Sequence, residues 1–492
     1  MALDVFDVRE IVQQVCVRAD VIDACRRRDL GTVITILGKH GVTQGRISEL
    51  TGIAQGRLSE YKTGKRTPRA STTFEDFAEG VGMPPTAREA LGLVRGQMAA
   101  TAAGRRVAGE GGADVGLRFL GDHAEVAGNL TRLWCSDLND DPSARGQAVV
   151  SGAWGDASLA WLVSRERQLA THRQTTGVRI GLADVARFRT TLDTFARLDD
   201  KFGGGHVRTA LIQYLSDDAS RLLRGCYTEA VARDLFSAVA EGTLLAAWMT
   251  YDSMPESALA QRYFVQALAL SQAGNDRMLG ASVLDAMSHQ ATYTGRYAEA
   301  ANLARAAAAG TRGIATATLT SHFHVMEARA LARLGDAKAC DHALAEAVRE
   351  FERRKPEGDP NWIQYFDDSE LAAEFGHCLR DLGRPLDAAQ YARRSFPSAA
   401  AGVTLLRSDF FAMMVLADVH MDAGNPEEAC SVALNALSAG EQIRSARCVN
   451  YLRDFRQRLA RLEKSRLAVD FNEQAATSRL WRIASQPPRG AA

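Results

Sequence analysis

Arginine, lysine and glutamine crowd one short stretch of this chain, and together their chemistry is that of a polyanion reader. Between Arg26 and Arg69 stand ten basic residues against three acidic ones (Asp29, Glu49, Glu60), a net of +7 in a chain whose 59 basic and 59 acidic residues otherwise cancel. A basic segment inside a neutral chain is the electrostatic footprint of a phosphate-backbone binder. Charge alone would suit a solvated surface equally well, so the spacing of residue types decides. Gln55 and Arg57 bracket Gly56, with Ser59 and Glu60 next along. Glutamine matches the edge of adenine and arginine that of guanine, each contact worth about 1–3 kcal/mol of discrimination. Lys62, Lys65 and Arg66 follow, cations suited to neutralising phosphates and making affinity fall with salt.

Other chemistries find no constellation. The eight cysteines lie far apart with no C-x-x-C, several within alanine-rich periodic stretches where a thiol acts as a small apolar residue, so neither disulfides nor zinc are expected. His322 and His324 stand two apart, which turns them to different faces of a helix, so no metal is expected there. Gly203-Gly204-Gly205 is followed by no lysine or hydroxyl residue at phosphate-loop spacing and reads as a turn between helices. Gly31 and Gly38-Lys39 are too widely spaced for that loop as well. No nucleophile elbow, zinc-protease helix or dinucleotide turn occurs, so the chain is not expected to be an enzyme or to carry a cofactor.

The basic residues need helices to hold them. Leu30–His40 is apolar at Val33, Ile34, Ile36 and Leu37, with Gly41 placed as a stop. Thr43 caps a second helix, Gln44–Leu50, and Gly52 stands where a tight turn needs φ > 0. A third helix, Gln55–Thr63, turns Leu58 and Tyr61 inward and ends at Gly64; Thr72–Val81 adds Phe74, Phe77 and Val81 on one face. Two short helices, a glycine turn and a basic loop after the second form a helix-turn-helix pattern.

The run Val42-Thr43-Gln44, Ile47, Glu49, Gly52-Ile53, Leu58-Ser59, Tyr61, Gly64-Lys65-Arg66 and Pro68 resembles, without a gap, the Cro/repressor-type (XRE-family) helix-turn-helix. Arg28-Asp29-Leu30-Gly31 before it, and Met83-Pro84-Pro85 with Ala90-Leu91-Gly92-Leu93 after it, are similar to the actinobacterial branch, where the module precedes a long helical-repeat region. The resemblance covers about 65 residues. It implies that Gln55–Glu60 enters the major groove and that Gln44 contacts the backbone beside the site. Ser48, Thr51 and Gly56 depart from the family's usual residues. Glycine inside the recognition helix costs about 1 kcal/mol relative to alanine and removes a side chain that could reach a base.

Self-similarity dominates the C-terminal half. Gly295, Gly335, Gly383 and Gly424 are 40, 48 and 41 residues apart. Seven residues before each stand Ser288, Ala328, Gly376 and Ala417; five after, Ala300, Cys340, Ala388 and Ala429; twelve after, Ala307, Ala347, Ser395 and Ala436. A fifth copy, Ala260-x3-Phe264-x2-Ala267, lacks the glycine. Small residues there let two helices approach closely around a glycine turn, and the pattern resembles a tetratricopeptide repeat of longer period, whose pairs stack into a superhelix with a concave surface. Residues expected to face that surface, on the first helix of each pair, are His289, Tyr293, His322, His324, Gln364, Tyr365, Arg407 and Asp409.

The expected fold is all-α: an N-terminal helix over 1–27, packing on the next domain or on a second protomer; a helix-turn-helix domain over 28–92; a Gly/Ala-rich flexible linker over 95–116; a junction over 117–180 with Trp134, Trp154 and Trp161; tetratricopeptide-like helical repeats over 181–470; and a tail over 471–492. Met1–Glu10 reads as no signal peptide and no apolar run approaches the roughly 18 residues of a membrane span, so a cytoplasmic place without a membrane partner is expected. What the resemblance implies is a transcriptional regulator binding double-stranded operator DNA as a homodimer, its repeats dimerising or holding a peptide, protein or small effector. A repeat-based adaptor with secondary DNA binding is the other reading.

Overall fold

The computed structural model describes residues 8, 11–13, 15–68, 71–91, 93, 116–141, 148–164, 178–254, 258–396, 406–462 and 465–486. All regular structure among them is helical apart from isolated β-bridges, one of which pairs Arg179 with Cys226. No helix among them is long and apolar enough to cross a membrane. The chain divides into two compact units, Met1–Gly109 and Glu110–Ala492. The linker expected over 95–116 lies outside the described residues except for Gly116, whose carbonyl accepts from Gln266 Nε2 at 2.9 Å within the second unit.

The first unit holds α1 (Ala19–Arg26), α2 (Leu30–Lys39), α3 (Gln44–Thr51), α4 (Gln55–Lys62), α5 (Ser71–Gly80) and α6 (Pro85–Ala90). Local signals set these bounds. Asp29 caps α2 by accepting from Thr32 N at 3.0 Å, and Thr43 caps α3 by accepting from Arg46 N at 3.3 Å. Gly52 ends α3 at φ +69°, a conformation that costs a side-chain-bearing residue strain. Two other glycines serve packing instead. A Cβ on Gly31 would lie 2.3 Å from the Tyr61 carbonyl oxygen, and one on Gly80 2.4 Å from that of Leu50, so α2 meets α4, and α5 meets α3, backbone to side.

One apolar cluster unites Leu30, Val33, Leu37, Ile47, Leu58, Tyr61, Phe74 and Phe77. Val8, Val12 and Val15 belong to it too, so the N-terminal segment packs on its own chain.

The second unit begins with α7 (His123–Leu138), α8 (Ala153–Val163), α9 (Leu182–Phe202), α10 (Gly204–Tyr214) and α11 (Ser220–Leu223). The second helix expected around the triple glycine is interrupted by a π-type turn at Leu215–Ala219. Trp134, Trp154 and Trp161, on α7 and α8, are fully buried. Five helix pairs follow: α12 (Glu229–Ser253) with α13 (Ala258–Ala273), α14 (Arg277–Tyr293) with α15 (Tyr297–Gly310), α16 (Ala317–Leu334) with α17 (Ala337–Phe351), α18 (Asp368–Asp381) with α19 (Pro385–Arg394), and α20 (Leu406–Asp422) with α21 (Pro426–Ala439). The four anchor glycines turn the chain between partners at φ +69° to +79°, with open space where a Cβ would go. They are needed for backbone conformation, not for room.

The twelve small positions are all buried, and Ser288 Oγ donates to the Ala300 carbonyl oxygen across one pair at 2.8 Å. The turn of the fifth copy lies outside the described residues. Residues 471–492, expected as a tail, prove otherwise where described. α22 (Ala446–Leu459), α23 (Arg466–Ala475) and α24 (Arg479–Ala484) share a core of Leu452, Phe455, Phe471 and Trp481. Aromatic residues at helical spacing gave these last helices an apolar face to bury.

Candidate nucleic-acid interface

In the first unit, α3 and α4 meet around Gly52 and turn their apolar residues, Ile47, Leu58 and Tyr61, into the core. What stays outside is polar. Gln55, Gly56, Arg57, Ser59, Lys62, Lys65 and Arg66 are exposed, and Gln44 and Glu60 half-buried. Arg57, Lys62 and Lys65 have no carboxylate within 4.0 Å among the described residues, whereas Arg66 Nη1 stands 3.5 Å from Glu60 Oε2. Glu60 is therefore engaged by a cation of its own unit. Arg46 is likewise taken by Glu49 at 2.6 Å. A Cβ on Gly56 would meet nothing within 4 Å, and its φ is ordinary for a helix, so no packing or conformational demand of the unit calls for glycine there. Arg28, at φ +56°, lays its guanidinium 4.5 Å over the ring of Phe74 and so anchors the start of α2.

The second unit arranges its charges the opposite way. Asp252, on α12, is 1% exposed and gathers four partners from distant segments. Its Oδ2 accepts from Gly204 N at 3.0 Å; its Oδ1 accepts from Ser445 Oγ at 2.8 Å and Arg447 Nε at 2.9 Å; Arg407 Nη1 lies 3.5 Å away. Arg407 also donates to Asp199 at 3.0 Å. Burial would raise the Asp252 carboxyl, but Arg407 and Arg447 hold it below its ordinary range.

The backbone reinforces this clasp: Arg444 N donates to the Phe202 carbonyl oxygen at 2.7 Å, and Gly205 N to that of Arg444 at 3.0 Å. A Cβ on Gly204 would sit 2.6 Å from the Met249 carbonyl oxygen, and one on Gly203 or Gly205 2.9 Å from that of Arg444. The triple glycine is a turn, as its sequence suggests, and also the seat on which a segment from the far end of the unit rests. Nothing local announces that second task.

Residues expected to face a groove are mostly engaged with other side chains of the unit. His289 Nδ1 lies 3.0 Å from the Tyr251 hydroxyl; burial, with Arg329 and Arg447 beyond it, pushes its pKa well down and leaves the ring neutral. Tyr293 accepts a hydrogen bond from Asn450 Nδ2. Burial would push His322 down too, yet Asp285, 2.8 Å from Nδ1, raises it. The Tyr365 hydroxyl stands 3.4 Å from the other His322 nitrogen while the residue remains 48% exposed.

His324 faces Glu327 at 3.8 Å, so the two histidines part as their spacing requires. Among the described residues no group of three metal-type side chains converges. Gln364 and Tyr365 do not lie on the first helix of their pair. They occupy the turn between the 3-10 segment Asn361–Ile363 and α18, where Pro360 and the Asp367 cap delay the helix start. Arg407 belongs to the Asp252 clasp, and Asp409 is half-buried with its carboxyl raised by burial.

Sequence reasoning did not find Asp252, Asp199, Tyr251 or Arg447. No motif marks them, and each matters only through partners far along the chain. No protein-family model matches the chain, and no curated protein matches it.

Proposed function

We propose that the protein is a sequence-specific DNA-binding transcriptional regulator. Its α3–Gly52–α4 pair acts as a helix-turn-helix of the Cro/repressor type, and its helix pairs form a tetratricopeptide-like region that assembles the dimer or receives an effector. The observation that carries this reading is the outward face of α4, where Gln55, Arg57, Ser59 and Lys62 are exposed and Arg57 and Lys62 lack an acidic partner among the described residues. A helix that spends its apolar residues on the core and leaves unpaired hydrogen-bond donors outside is equipped to enter a major groove. Arg57 would pair with a guanine, Gln55 with an adenine, and Lys62, Lys65 and Arg66 with phosphates. Glu60, held by Arg66, would orient that arginine rather than read a base.

Binding to duplexes from the promoter of its own gene tests the reading. Arg57→Ala should cost about 1–3 kcal/mol on the preferred site and little on random DNA. Replacing Lys65 and Arg66 by alanine should flatten the salt dependence by about 0.9 in log–log slope per lost phosphate contact while leaving site preference in place. A chain that binds no duplex at low salt would leave the adaptor reading standing instead.

A further inference from the structure

A second basic surface stands at the other end of the chain. Between Arg444 and Arg489 there are eleven basic residues against four acidic ones, again a net of +7. Acidic residues outnumber basic ones by eleven between positions 70 and 443, so this excess interrupts an otherwise acidic run. Lys464, Glu463 and Arg489 lie outside the described residues; the rest sit on or beside α22, α23 and α24.

The arginines divide by the side they face. Arg447 and Arg458, turned inward, meet Asp252 at 2.9 Å and Asp418 at 3.4 Å. Arg444, Arg453, Arg456, Arg461, Arg479 and Arg482 have no carboxylate within 4.0 Å among the described residues; four of them are exposed, and Arg453 and Arg479 half-buried. Arg466, also exposed, stands 3.7 Å from Asp470. The four exposed arginines with no carboxylate in reach among the described residues, Arg444, Arg456, Arg461 and Arg482, are charge that an outside partner could use. The platform under them is packed: the Phe455 and Phe471 rings are 5.6 Å apart, Phe471 and Trp481 5.2 Å, and Arg456 donates to the Ser485 carbonyl oxygen at 3.1 Å, tying α22 to α24. α22 alone, 14 residues, is about 21 Å long at 1.5 Å per residue, the length of roughly six base pairs. Guanidinium groups suit phosphate oxygens because their paired N–H donors match them two at a time.

We propose that α22–α24 form a second duplex-DNA-binding surface, one that grips the phosphate backbone without reading sequence. The choice of DNA among polyanions rests on the function proposed above; the surface itself does not.

The test uses the full chain and a random duplex of about 30 base pairs, with affinity measured across salt concentrations. Arg444→Gln, Arg461→Gln and Arg482→Gln are combined, since these side chains make no hydrogen bond among the described residues and the fold should survive; a second chain carries lysine at the same positions. Both sets are made in the parent and in a background with Gln55, Arg57, Lys65 and Arg66 all changed to alanine. The expected result is residual, salt-dependent duplex binding in that background. The glutamine set should then weaken it at least tenfold and flatten its slope by about 1–3, at 0.9 per phosphate, and the lysine set should restore it. If the glutamine set leaves the slope unchanged in both backgrounds, or the alanine background binds no duplex at all, the second surface is overturned and the α4 reading stands. If the alanine background binds operator as tightly as the parent and only the glutamine set weakens it, the α4 reading fails and this one stands. Loss of binding to anionic lipid vesicles or single-stranded RNA with duplex binding intact would overturn the choice of DNA.

Discussion

The two units use charge in opposite ways. In the first, cations such as Arg57, Lys62 and Lys65 stand outside with no carboxylate within 4.0 Å among the described residues, and the core is an apolar cluster. In the second, arginines and carboxylates are drawn inside and matched: Arg407 with Asp199 and Asp252, Arg329 with Glu374, Arg380 with Asp418. The acids record the contrast. Asp29 in the first unit is held below its ordinary range by Thr32, whereas burial lifts Glu370 and Asp418 in the second, to about 7 and about 6. Unpaired surface charge is worth little to folding and much to a partner. Buried paired charge adds little net stability, but it penalises every wrong arrangement that would leave one member alone. Exposed, unpaired charge is the feature of the first unit's α4 face, and buried, paired charge in the interior of the second fixes which helices meet.

The sharpest way to break that comparison is to remove a carboxylate from each unit. Asp252→Ala strands Arg447 and the Gly204 amide in the interior and should cost about 3–5 kcal/mol, whereas Glu49→Ala, which removes an exposed carboxylate from half-buried Arg46, should cost under about 1 kcal/mol. Denaturant melts of the full chain measure both; a similar small loss from each would mean the clasp does not hold the second unit closed. Next in size is assembly. A fragment ending near Arg95 retains the whole apolar cluster of the first unit and should fold. It should bind the preferred site at least about tenfold more weakly, because a second linked contact has gone. If it is dimeric by mass and binds as tightly as the whole chain, the second unit has no part in assembly.

Gly56→Ala sharpens the contrast between folding and binding at one position. Nothing in the unit fills the space, so alanine should raise the stability of the first unit by about 1 kcal/mol, the helix-propensity difference. Reduced duplex affinity alongside that gain would show that glycine is there for close approach; unchanged affinity would show that it is not.

The last way to sharpen the comparison is a pH dependence. A carboxyl raised in the folded state costs stability as it ionises. Glu370 should therefore cost nothing well below pH 4.5, progressively more up to pH 7, and its full amount above. Glu370→Gln should melt above the parent at pH 8 and not at pH 4. Equal differences at both pH values would remove burial of this carboxyl as the cause.

Much of the architecture was legible because its causes are local. Asp29, Thr43 and Gly52 mark helix ends through atoms within a few residues. Gly295, Gly335, Gly383 and Gly424 mark turns because only glycine adopts their φ without strain, and the buried small positions follow from the same period. The outward face of α4 could be read for the same reason, since Leu58 and Tyr61 fix which side of an eight-residue helix is core. The 471–484 helices escaped because their apolar residues are fewer and arginine-flanked, so the pattern passes for a solvated tail.

Sequence by itself thus determined helices, caps, turns and which residues of α4 stay outside the core, all consequences of neighbours along the chain. Only the tertiary structure decided which of many carboxylates each arginine meets, that Asp285 raises His322 while His289 stays neutral beside Tyr251, and that Gly203–Gly205 bears the backbone of Arg444. Those outcomes depend on distances between segments as much as 208 residues apart, and a buried charge takes its state from whatever the fold places next to it.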